Sequence, residues 1–324
     1  RDGFALSRQG CTKHNTNNIG TATVTSFGRA NLSSDTLVAS KAGLTWWYNV
    51  LPFTAGAWTS LTVTQNLGNQ PVHFEQVQTA QSTTYLFMSN LNASSGIMQW
   101  DGTAAVANVA GSPTGAKYLR QFGQQVFAAG MVTTPFTIRF SDVGTPLSWP
   151  TANAFDVPAS RGRITGLERV GGVGLVILCE RGIFVMTGTP PFNSQLNILN
   201  DQIGADVPEA ITTVGSTIVF PFQGDLFRFN GGVTVLSERF RGITNVSASD
   251  LAHASMSYAT VTPLYYFYRA QMNDSPTGTP AVTTTQTPIL YCFDRERAGW
   301  FSVWNYGTGT LFGASGNPFQ PTCF

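Results

Sequence analysis

The side chains that most often hold metals or transfer protons are few in this sequence and lie far apart. Its three histidines are His14, His73 and His253, and none belongs to an HExxH or HxH pattern. Zinc sites bring three or four ligands to one point, and closely spaced histidines are their usual signal in a sequence. The sequence therefore predicts no metal site, with two histidines at the surface and His253 near a helix cap.

The acidic residues number 17, and several of them fall where turns are predicted. Those at predicted turns are Asp142, Asp156, Asp201, Asp206 and Asp225. A glycosidase uses a pair of carboxyl groups across a cleft, whereas a turn uses an Asp side chain to accept backbone hydrogen bonds. The turn role is the favoured interpretation, and a glycoside hydrolase stays as the less favoured alternative.

Glycine-rich and nucleophile patterns are incomplete as well. The run 171–174 precedes a predicted strand, whereas a nucleotide-binding glycine loop opens a helix. No G-x-S-x-G elbow with a matching His and Asp stands in the sequence, so nucleophilic catalysis has no support. The sequence predicts that the protein is not an enzyme, with no catalytic residue and no cofactor.

The four cysteines lack the two-residue spacing of zinc ribbons and redox motifs. Cys179 and Cys292 stand in apolar runs and are predicted to be small buried side chains. Cys11 and Cys323 lie near the two ends of the chain, where a disulfide between them is conceivable if the ends meet.

Charged residues make up only 11% of the chain, against about 25% in ordinary soluble proteins. The net charge is +1 and the basic residues are scattered, which argues against a dedicated nucleic-acid reader. A weakly charged surface rich in Thr, Ser, Asn and Gln favours a protein packed against other proteins.

No apolar run reaches the roughly 18 residues of a transmembrane helix, so no membrane association is predicted. Arg1 is followed by no signal-peptide pattern, which predicts either a trimmed N-terminus or a start inside a longer product.

Apolar runs of about five residues, the usual length of a strand, recur between short polar turns. Typical runs are 84–88, 125–129, 174–178, 217–220 and 225–229. Helical periodicity is almost absent, and the best candidate is one or two turns at 250–256. The pattern predicts an all-β fold.

Two tight hairpins share one design of apolar strand, turn and aromatic-containing strand. The first turns at Gly182 and the second at Gly224, and an Asn-Gly-Gly turn at Gly231 follows the second. The copies stand roughly 40–50 residues apart, which is the length of a four-stranded propeller blade. The sequence therefore predicts a single β-propeller domain over 1–324, with about six blades of short antiparallel strands and a range of five to seven.

The predicted blade cores follow from the same spacing and are 84–109, 114–157, 163–200, 210–240 and 256–304. Residues 20–78 supply a further blade, closed by 310–313, because closure by both ends of the chain leaves no free strand edge. The polar, proline-punctuated segment near 273–288 is predicted to be an extended loop or β-arm that contacts a neighbouring subunit.

The most distinctive turn lies between two predicted strands and contains Ser141, Asp142, Gly144 and Trp149. It resembles the Asp-box of sialidase-like propellers, although its spacing differs. In such turns the Ser and Asp side chains bind backbone N–H groups and the Trp packs into the blade. These four residues, and the hairpin glycines, are predicted to have structural roles.

Four short pieces, taken in order, resemble the propeller domain of bacteriophage tail proteins, especially the nozzle proteins of short-tailed phages. They are the turn at 140–149, the Glu-Arg-Gly-Ile-Phe-Val hairpin at 180–185, the Gly-Ala-x-x-Pro segment at 203–208 and the Gly-x-Leu-Phe-Arg-Phe-x-Gly hairpin at 224–231. The resemblance extends over roughly 84–245. Nozzle proteins are commonly longer, so a related ring, collar or tail-tip component fits this chain equally well.

The resemblance implies a mechanical function in the virion. Several copies would form a ring, for which a hexamer is one allowed stoichiometry, below the portal and adaptor proteins. The ring would continue the DNA channel and retain or conduct the genome without sequence-specific binding. The weak surface charge is compatible with this role, because each Lys or Arg contact to phosphate would slow the passage of DNA.

A receptor- or carbohydrate-binding propeller, such as a tail adhesin, is the main alternative function. Exposed aromatic rings would serve glycan binding, and Trp46, Trp47, Tyr48 and Trp58 are the candidates. Aromatic residues in strands are mostly buried, so blade core is the favoured interpretation of these four.

Overall fold

The computed structural model describes an all-β chain, as the sequence predicts. The described residues are 24–41, 46–50, 58–63, 72–206, 208–223, 225–237, 255–259, 264–269, 289–294 and 299–305. They form 24 strands and two single-turn 3-10 helices, Ala159–Arg161 and Pro208–Ala210. No helix among these residues is long and apolar enough to cross a membrane.

The strands form six antiparallel sheets of four strands, and each sheet takes its strands from one continuous stretch of chain. Sheet 1 has β1 (Val24–Asn31), β2 (Asp35–Lys41), β3 (Trp46–Val50) and β4 (Thr59–Leu61). Sheet 2 has β5 (His73–Gln78), β6 (Thr84–Ser89), β7 (Met98–Trp100) and β8 (Ala107–Asn108). Sheet 3 has β9 (Tyr118–Phe122), β10 (Gln125–Ala129), β11 (Thr137–Phe140) and β12 (Ala154–Asp156).

The other three sheets repeat this meander. Sheet 4 has β13 (Ile164–Val170), β14 (Gly174–Cys179), β15 (Gly182–Thr187) and β16 (Gln195–Asn200). Sheet 5 has β17 (Thr212–Val214), β18 (Thr217–Phe222), β19 (Asp225–Phe229) and β20 (Val233–Ser237). Sheet 6 has β21 (Ser255–Ala259), β22 (Leu264–Arg269), β23 (Ile289–Asp294) and β24 (Gly299–Asn305).

Sheet 4 shows why its central strands are continuous apolar runs. Successive side chains of a strand point to opposite faces. Leu175 and Ile177 of β14 pack in one core cluster with Phe127 of sheet 3. Val176 and Leu178, between them, pack in another cluster with Phe220 of sheet 5. Both faces of the sheet are therefore buried, so both sets of alternate residues are apolar.

The same arrangement continues on the other side of sheet 3. Val126 and Ala128 of β10 share a cluster with Phe87 of sheet 2, while Met88, on the opposite face of β6 from Phe87, packs with Val38 of sheet 1. Four apolar clusters thus alternate with sheets 1 to 5, each filling the space between two consecutive sheets.

In four of the five pairs of consecutive sheets the first strands run beside one another: β1 contacts β5, β5 contacts β9, β9 contacts β13 and β17 contacts β21. The contact between β1 and β5 requires a glycine. A Cβ atom on Gly28 would lie 2.3 Å from Cγ of Phe74, well inside van der Waals distance.

Several boundaries predicted from sequence were wrong. Residues 73–78 form β5 of sheet 2 and not part of the first unit, because this strand pairs with β6 in register. Among the described residues, sheet 1 consists of β1, β2, β3 and β4. Two residues of the candidate helix, Ser255 and Met256, belong to strand β21, where they pair with Tyr268 and Phe267.

Other predictions lie outside the described residues. These are the insertion near 273–288, the closing segment 310–313, the pair Cys11 and Cys323, and His14 and His253. Cys179 is fully buried, as predicted, and burial raises the pKa of its thiol to about 12. Cys292 lies in β23, opposite Tyr266 and Ser302.

Candidate functional site

Four polar residues, one on the first strand of each of sheets 2 to 5, form a connected chain of hydrogen bonds. They are Glu75 on β5, Arg120 on β9, Glu168 on β13 and Thr213 on β17. Successive members are separated by 45, 48 and 45 residues, which matches the spacing of the sheets. We call this set the four-strand network.

Arg120 is the centre of the network. Its Nη1 donates to Glu75 Oε2 at 2.9 Å and its Nη2 donates to Glu168 Oε1 at 2.6 Å. Its Nε donates to the backbone carbonyl of Leu167 at 3.1 Å. The guanidinium therefore uses its planar fork to hold two neighbouring strands at once, a geometry that a lysine ammonium lacks.

The remaining carboxylate oxygens also have partners. Glu75 Oε1 accepts from the backbone N–H of Gln121 at 2.8 Å, and Glu168 Oε2 accepts from the hydroxyl of Thr213 at 2.6 Å. Both glutamate side chains are 12% exposed and that of Arg120 is 24% exposed. All four carboxylate oxygens are therefore satisfied, as buried charged groups must be.

Burial and charge act in opposite directions on this network. Burial is the larger effect on Glu75 and raises the pKa of its carboxyl group, although the Arg120 charge opposes it. Burial also disfavours the charged form of Arg120, but the carboxylates of Glu168 and Glu75 outweigh it and raise the pKa of the guanidinium. Arg120 therefore stays charged, and its charge holds the two acidic groups in place.

The geometry of the network is suited to fixing neighbouring strands. A general acid or base must offer its proton or lone pair to a substrate within hydrogen-bond reach. In Glu75 and Glu168 every oxygen already binds a protein group. A substrate would have to break an ion pair between two sheets to reach either carboxylate.

Further polar contacts join the same neighbouring strands. Gln121 Nε2 donates to the carbonyl of Gln78 at 2.7 Å, and Gln121 Oε1 accepts from the N–H of Gln78 at 2.9 Å. Between β1 and β5, Gln76 Oε1 accepts from the N–H of Asn31 at 2.8 Å. These amide side chains pair with the backbone of the adjacent strand much as a further strand would.

His73 contributes to the contact between β5 and β9, which corrects the prediction of a surface histidine. Its Nε2 lies 2.9 Å from the carbonyl oxygen of Leu119, and its ring meets that of Tyr118 edge-on at 6.5 Å. The residue is half-buried between these partners. Burial, helped by the Arg120 charge, lowers the pKa of His73 to about 3, so the imidazole is neutral and Nε2 donates.

The turn residues predicted from sequence are held together in sheet 3. Asp142 Oδ2 accepts from the hydroxyl of Ser148 at 2.7 Å, and its Oδ1 accepts from Asn153 Nδ2 at 3.0 Å. Ser141 Oγ accepts from the N–H of Val126 at 2.9 Å. The indole N–H of Trp149 donates to Pro146 at 2.8 Å, and the Trp149 side chain is buried.

The glycines of the turns differ in their roles. Gly144 and Gly231 have φ values of +71° and +103°, which favour glycine. Gly182 pairs with Cys179 across a hairpin whose turn residues are Glu180 and Arg181. Gly224 lies outside the described residues.

A groove of about 300 Å³ opens between the outer strands of sheets 3 and 4. Its lining includes Phe140 and Phe155 of sheet 3, Met186 and Leu196 of sheet 4, and the pair Pro190 and Pro191. Asp156 is the charged lining residue, and its Oδ1 accepts from the Thr137 hydroxyl at 2.6 Å. The groove joins the exposed strand β16.

Within the part of the chain that the structure describes, no three His, Cys, Asp or Glu side chains are grouped as metal ligands. The four-strand network was not predicted from the sequence. Its signal is present nonetheless, because Glu75, Arg120 and Glu168 are charged residues within strands and recur at the spacing of the repeat.

Comparison with known proteins finds solved structures with a similar fold. No family model matches the chain, and no curated protein matches it. The crystal structure of the computationally designed Ika8 protein is similar, with a TM-score of 0.50 and 10% identity over 88% of this chain and 87% of that one. The extracellular domain of a putative hybrid two-component system from B. thetaiotaomicron is similar, with a TM-score of 0.51 and 9% identity over 86% of this chain. This chain spans 38% of the length of that protein.

Proposed function

We propose that the chain is a single six-bladed β-propeller whose copies form a ring in a bacteriophage tail, where it continues the DNA channel below the portal and adaptor. Each four-stranded sheet is one blade, and the first strands of the blades surround the central axis. The protein acts mechanically, as a rigid segment of the conduit that retains or conducts the genome.

The observation that carries the proposal is the four-strand network. Buried ion pairs cost free energy for desolvation and contribute mainly when every partner is satisfied. Here one guanidinium links three consecutive first strands through Glu75 and Glu168. A propeller must hold neighbouring blades at a fixed angle, and such a link supports that role.

The packing between sheets supports the same architecture. Apolar clusters fill the space on both faces of sheets 2, 3 and 4, and blades of a propeller pack face to face around an axis. Consecutive sheets follow one another along the chain without a crossover, as radial repetition of one meander requires.

The tail function rests on the resemblance of four ordered sequence pieces to nozzle proteins, and the charge distribution supports it. A ring that conducts DNA needs little attraction for phosphates, because contacts from Lys and Arg provide most of non-specific DNA binding. The chain has a net charge of +1, and Arg120 is neutralised by two carboxylates.

The experiment that tests the proposal measures the assembly of the full chain. Mass photometry of the purified protein, with and without portal–adaptor complexes, is followed by cryo-EM of the mixture. We expect a closed ring of several 34.8 kDa chains coaxial with the portal. A chain that stays outside every ring, alone and with the portal complex, overturns the tail function, and binding to a glycan array would then indicate an adhesin.

A further inference from the structure

The turn that joins β19 to β20 contains the single Asn-Gly pair of the sequence, Asn230 and Gly231. Asn230, Gly231 and Gly232 are all exposed. Gly231 has a φ of +103°, a left-handed conformation that glycine adopts at no steric cost. A Cβ atom on Gly232 would meet nothing within 4 Å, and one on Gly231 would meet only Val173, at 4.0 Å. The turn is therefore open to solvent.

Sheet 2 has the equivalent turn after its third strand, β7, with Asp101 and Gly102 in the corresponding positions. Gly102 has a similar φ of +93°. The side chain of Asp101 is occupied there, because its Oδ1 accepts from the backbone N–H groups of Thr103 and Ala104, each at 2.8 Å. Asp and Asn side chains in turns commonly bind the backbone ahead of them in this way.

Asn230 departs from that arrangement. Among the residues that the structure describes, neither the carboxamide of Asn230 nor the backbone N–H of Gly231 takes part in a hydrogen bond. A hydrogen bond of 3.3 Å from the N–H of Asn230 to the carbonyl of Gly232 closes the turn, and it engages neither of those groups. The carboxamide carbon and the next backbone nitrogen are thus adjacent, exposed and unbonded.

We propose that Asn230 is a site of spontaneous deamidation, with water as the co-reactant. The backbone nitrogen of Gly231 attacks Cγ of Asn230 and forms a new C–N bond. The carboxamide nitrogen leaves as ammonia, carrying away the proton of the Gly231 N–H. Water then opens the resulting succinimide at one of its two carbonyl groups. The product is aspartate or isoaspartate at position 230, so the chain loses ammonia and gains water, and no atom is oxidised or reduced.

The residue after the asparagine and the freedom of the carboxamide control this reaction. A Cβ atom on the following residue hinders the approach of its nitrogen to Cγ, and glycine has none. Glycine also allows the main-chain rotation that ring closure needs. Asn193 lacks both advantages although it is exposed, since its Oδ1 accepts from the N–H of Thr189 at 2.9 Å and Ser194 follows it.

The two products should affect the hairpin differently. Isoaspartate lengthens the main chain by one methylene group beside Phe229, which pairs with Val233 across the hairpin. This product should weaken the pairing of β20 with β19. Aspartate keeps the length of the main chain and offers a carboxylate to the backbone, as Asp101 does in sheet 2.

This modification goes beyond the proposed tail function and does not depend on it. It requires only the folded chain and water. A chain that forms no ring could still deamidate at Asn230, and a ring could form from chains in which Asn230 stays intact.

Ageing of the purified full chain in mildly alkaline buffer tests the site. Peptide mass spectrometry follows the conversion of each asparagine, and labelling by isoaspartyl methyltransferase detects isoaspartate. We expect Asn230 to convert in the folded protein at least tenfold faster than Asn193, at a rate close to its own rate in urea-unfolded protein. Asn193 should convert faster in the unfolded chain than in the folded one.

Asn230→Gln is the matched variant, because it keeps the amide but would have to close a larger and slower-forming ring. It should abolish the isoaspartate signal of the peptide that contains the turn and leave the other peptides unchanged. If Asn230 stays intact in the folded protein while the unfolded chain converts, the proposal is overturned. Equal rates at Asn230 and Asn193 in the folded protein would overturn it as well.

Discussion

The guanidinium of Arg120 and the carboxylate of Glu168 meet at 2.6 Å across the boundary between sheets 3 and 4. The two residues are 48 positions apart in sequence, and each lies on the first strand of its sheet. Because Arg120 also reaches Glu75 of sheet 2, one side chain links the first strands of three sheets. Its removal is the most informative single change in the protein.

Arg120→Met should lower the free energy of unfolding by about 3–5 kcal/mol, because it leaves two buried carboxylates without their cation. Chemical denaturation followed by circular dichroism measures the change. Arg163→Met is the matched control, since Arg163 and Glu180 form an ion pair with side chains 63% and 38% exposed. That exposed pair should contribute less than about 1 kcal/mol.

A second variant distinguishes the loss of the ion pairs with Arg120 from the loss of packing around the Arg120 side chain. Adding Glu75→Gln and Glu168→Gln to Arg120→Met removes the unpaired charges, so much of the lost stability should return. Equal destabilisation by Arg120→Met and Arg163→Met would show that the four-strand network does not hold the sheets together.

Stability should depend on pH through His73. Burial lowers the pKa of its imidazole to about 3 in the folded protein, against 6.5 as its ordinary value. Between these values the unfolded chain binds a proton that the folded protein does not. The neutral His73 therefore leaves the free energy of unfolding at its full value above pH 6.5. As the pH falls from 6.5 towards 3, that free energy decreases by up to about 1.4 kcal/mol per pH unit.

The measurement compares the parent protein with His73→Gln, whose amide can donate to the same carbonyl of Leu119. The stability of the parent should fall more steeply between pH 6.5 and 4 than that of the variant. Glu75 acts in the opposite direction, because its raised pKa favours the folded state as pH falls. Both proteins contain Glu75, so its effect cancels when their free energies of unfolding are compared. A His73 ring that titrates near pH 6.5 by NMR would contradict this prediction.

Gly28→Ala should destabilise the protein by about 1–3 kcal/mol, the usual cost of overpacking. The added methyl group would lie 2.3 Å from Cγ of Phe74, which would push β1 away from β5. Gly171→Ala is the control, because a Cβ there meets nothing within 4 Å. Thermal unfolding of both variants should show a lower Tm for Gly28→Ala alone.

A double variant tests the stated cause. Gly28→Ala combined with Phe74→Ala should cost less than the sum of the two single changes, because the new methyl group then occupies space that the ring has left. Additive costs would mean that the effect of Gly28→Ala comes from the backbone and not from the ring.

Asp142→Ala should lower the free energy of unfolding by about 1–3 kcal/mol, since it leaves the buried Asn153 amide without its acceptor and frees the Ser148 hydroxyl. Val143→Ala, at a neighbouring position that is 40% exposed, should change stability by less than about 0.5 kcal/mol. Urea denaturation of both variants provides the measurement. Indistinguishable midpoints would show that the Asp142 side chain does not stabilise the turn.

The sequence by itself determined the class of fold and many of the strands. The apolar run of β14 and the aromatic run of β19 are local signals, and a strand of either kind forms wherever its two faces can be buried. The interpretation of Cys179 as a buried thiol followed from the same run. These features depend on residues that are adjacent in the chain, so a pattern in the sequence is sufficient to predict them.

The tertiary structure decided which strands belong together and which charges meet. From the sequence alone, 73–78 was assigned to the wrong unit. The ion pairs of Arg120 with Glu75 and Glu168 were not predicted, because these residues are 45 and 48 positions apart and meet only once the sheets have packed. The sequence also placed His73 at the surface, although burial against β9 keeps its imidazole neutral. Burial, ion pairing and edge exposure are properties of neighbours in space, and the order of residues along the chain does not specify them locally.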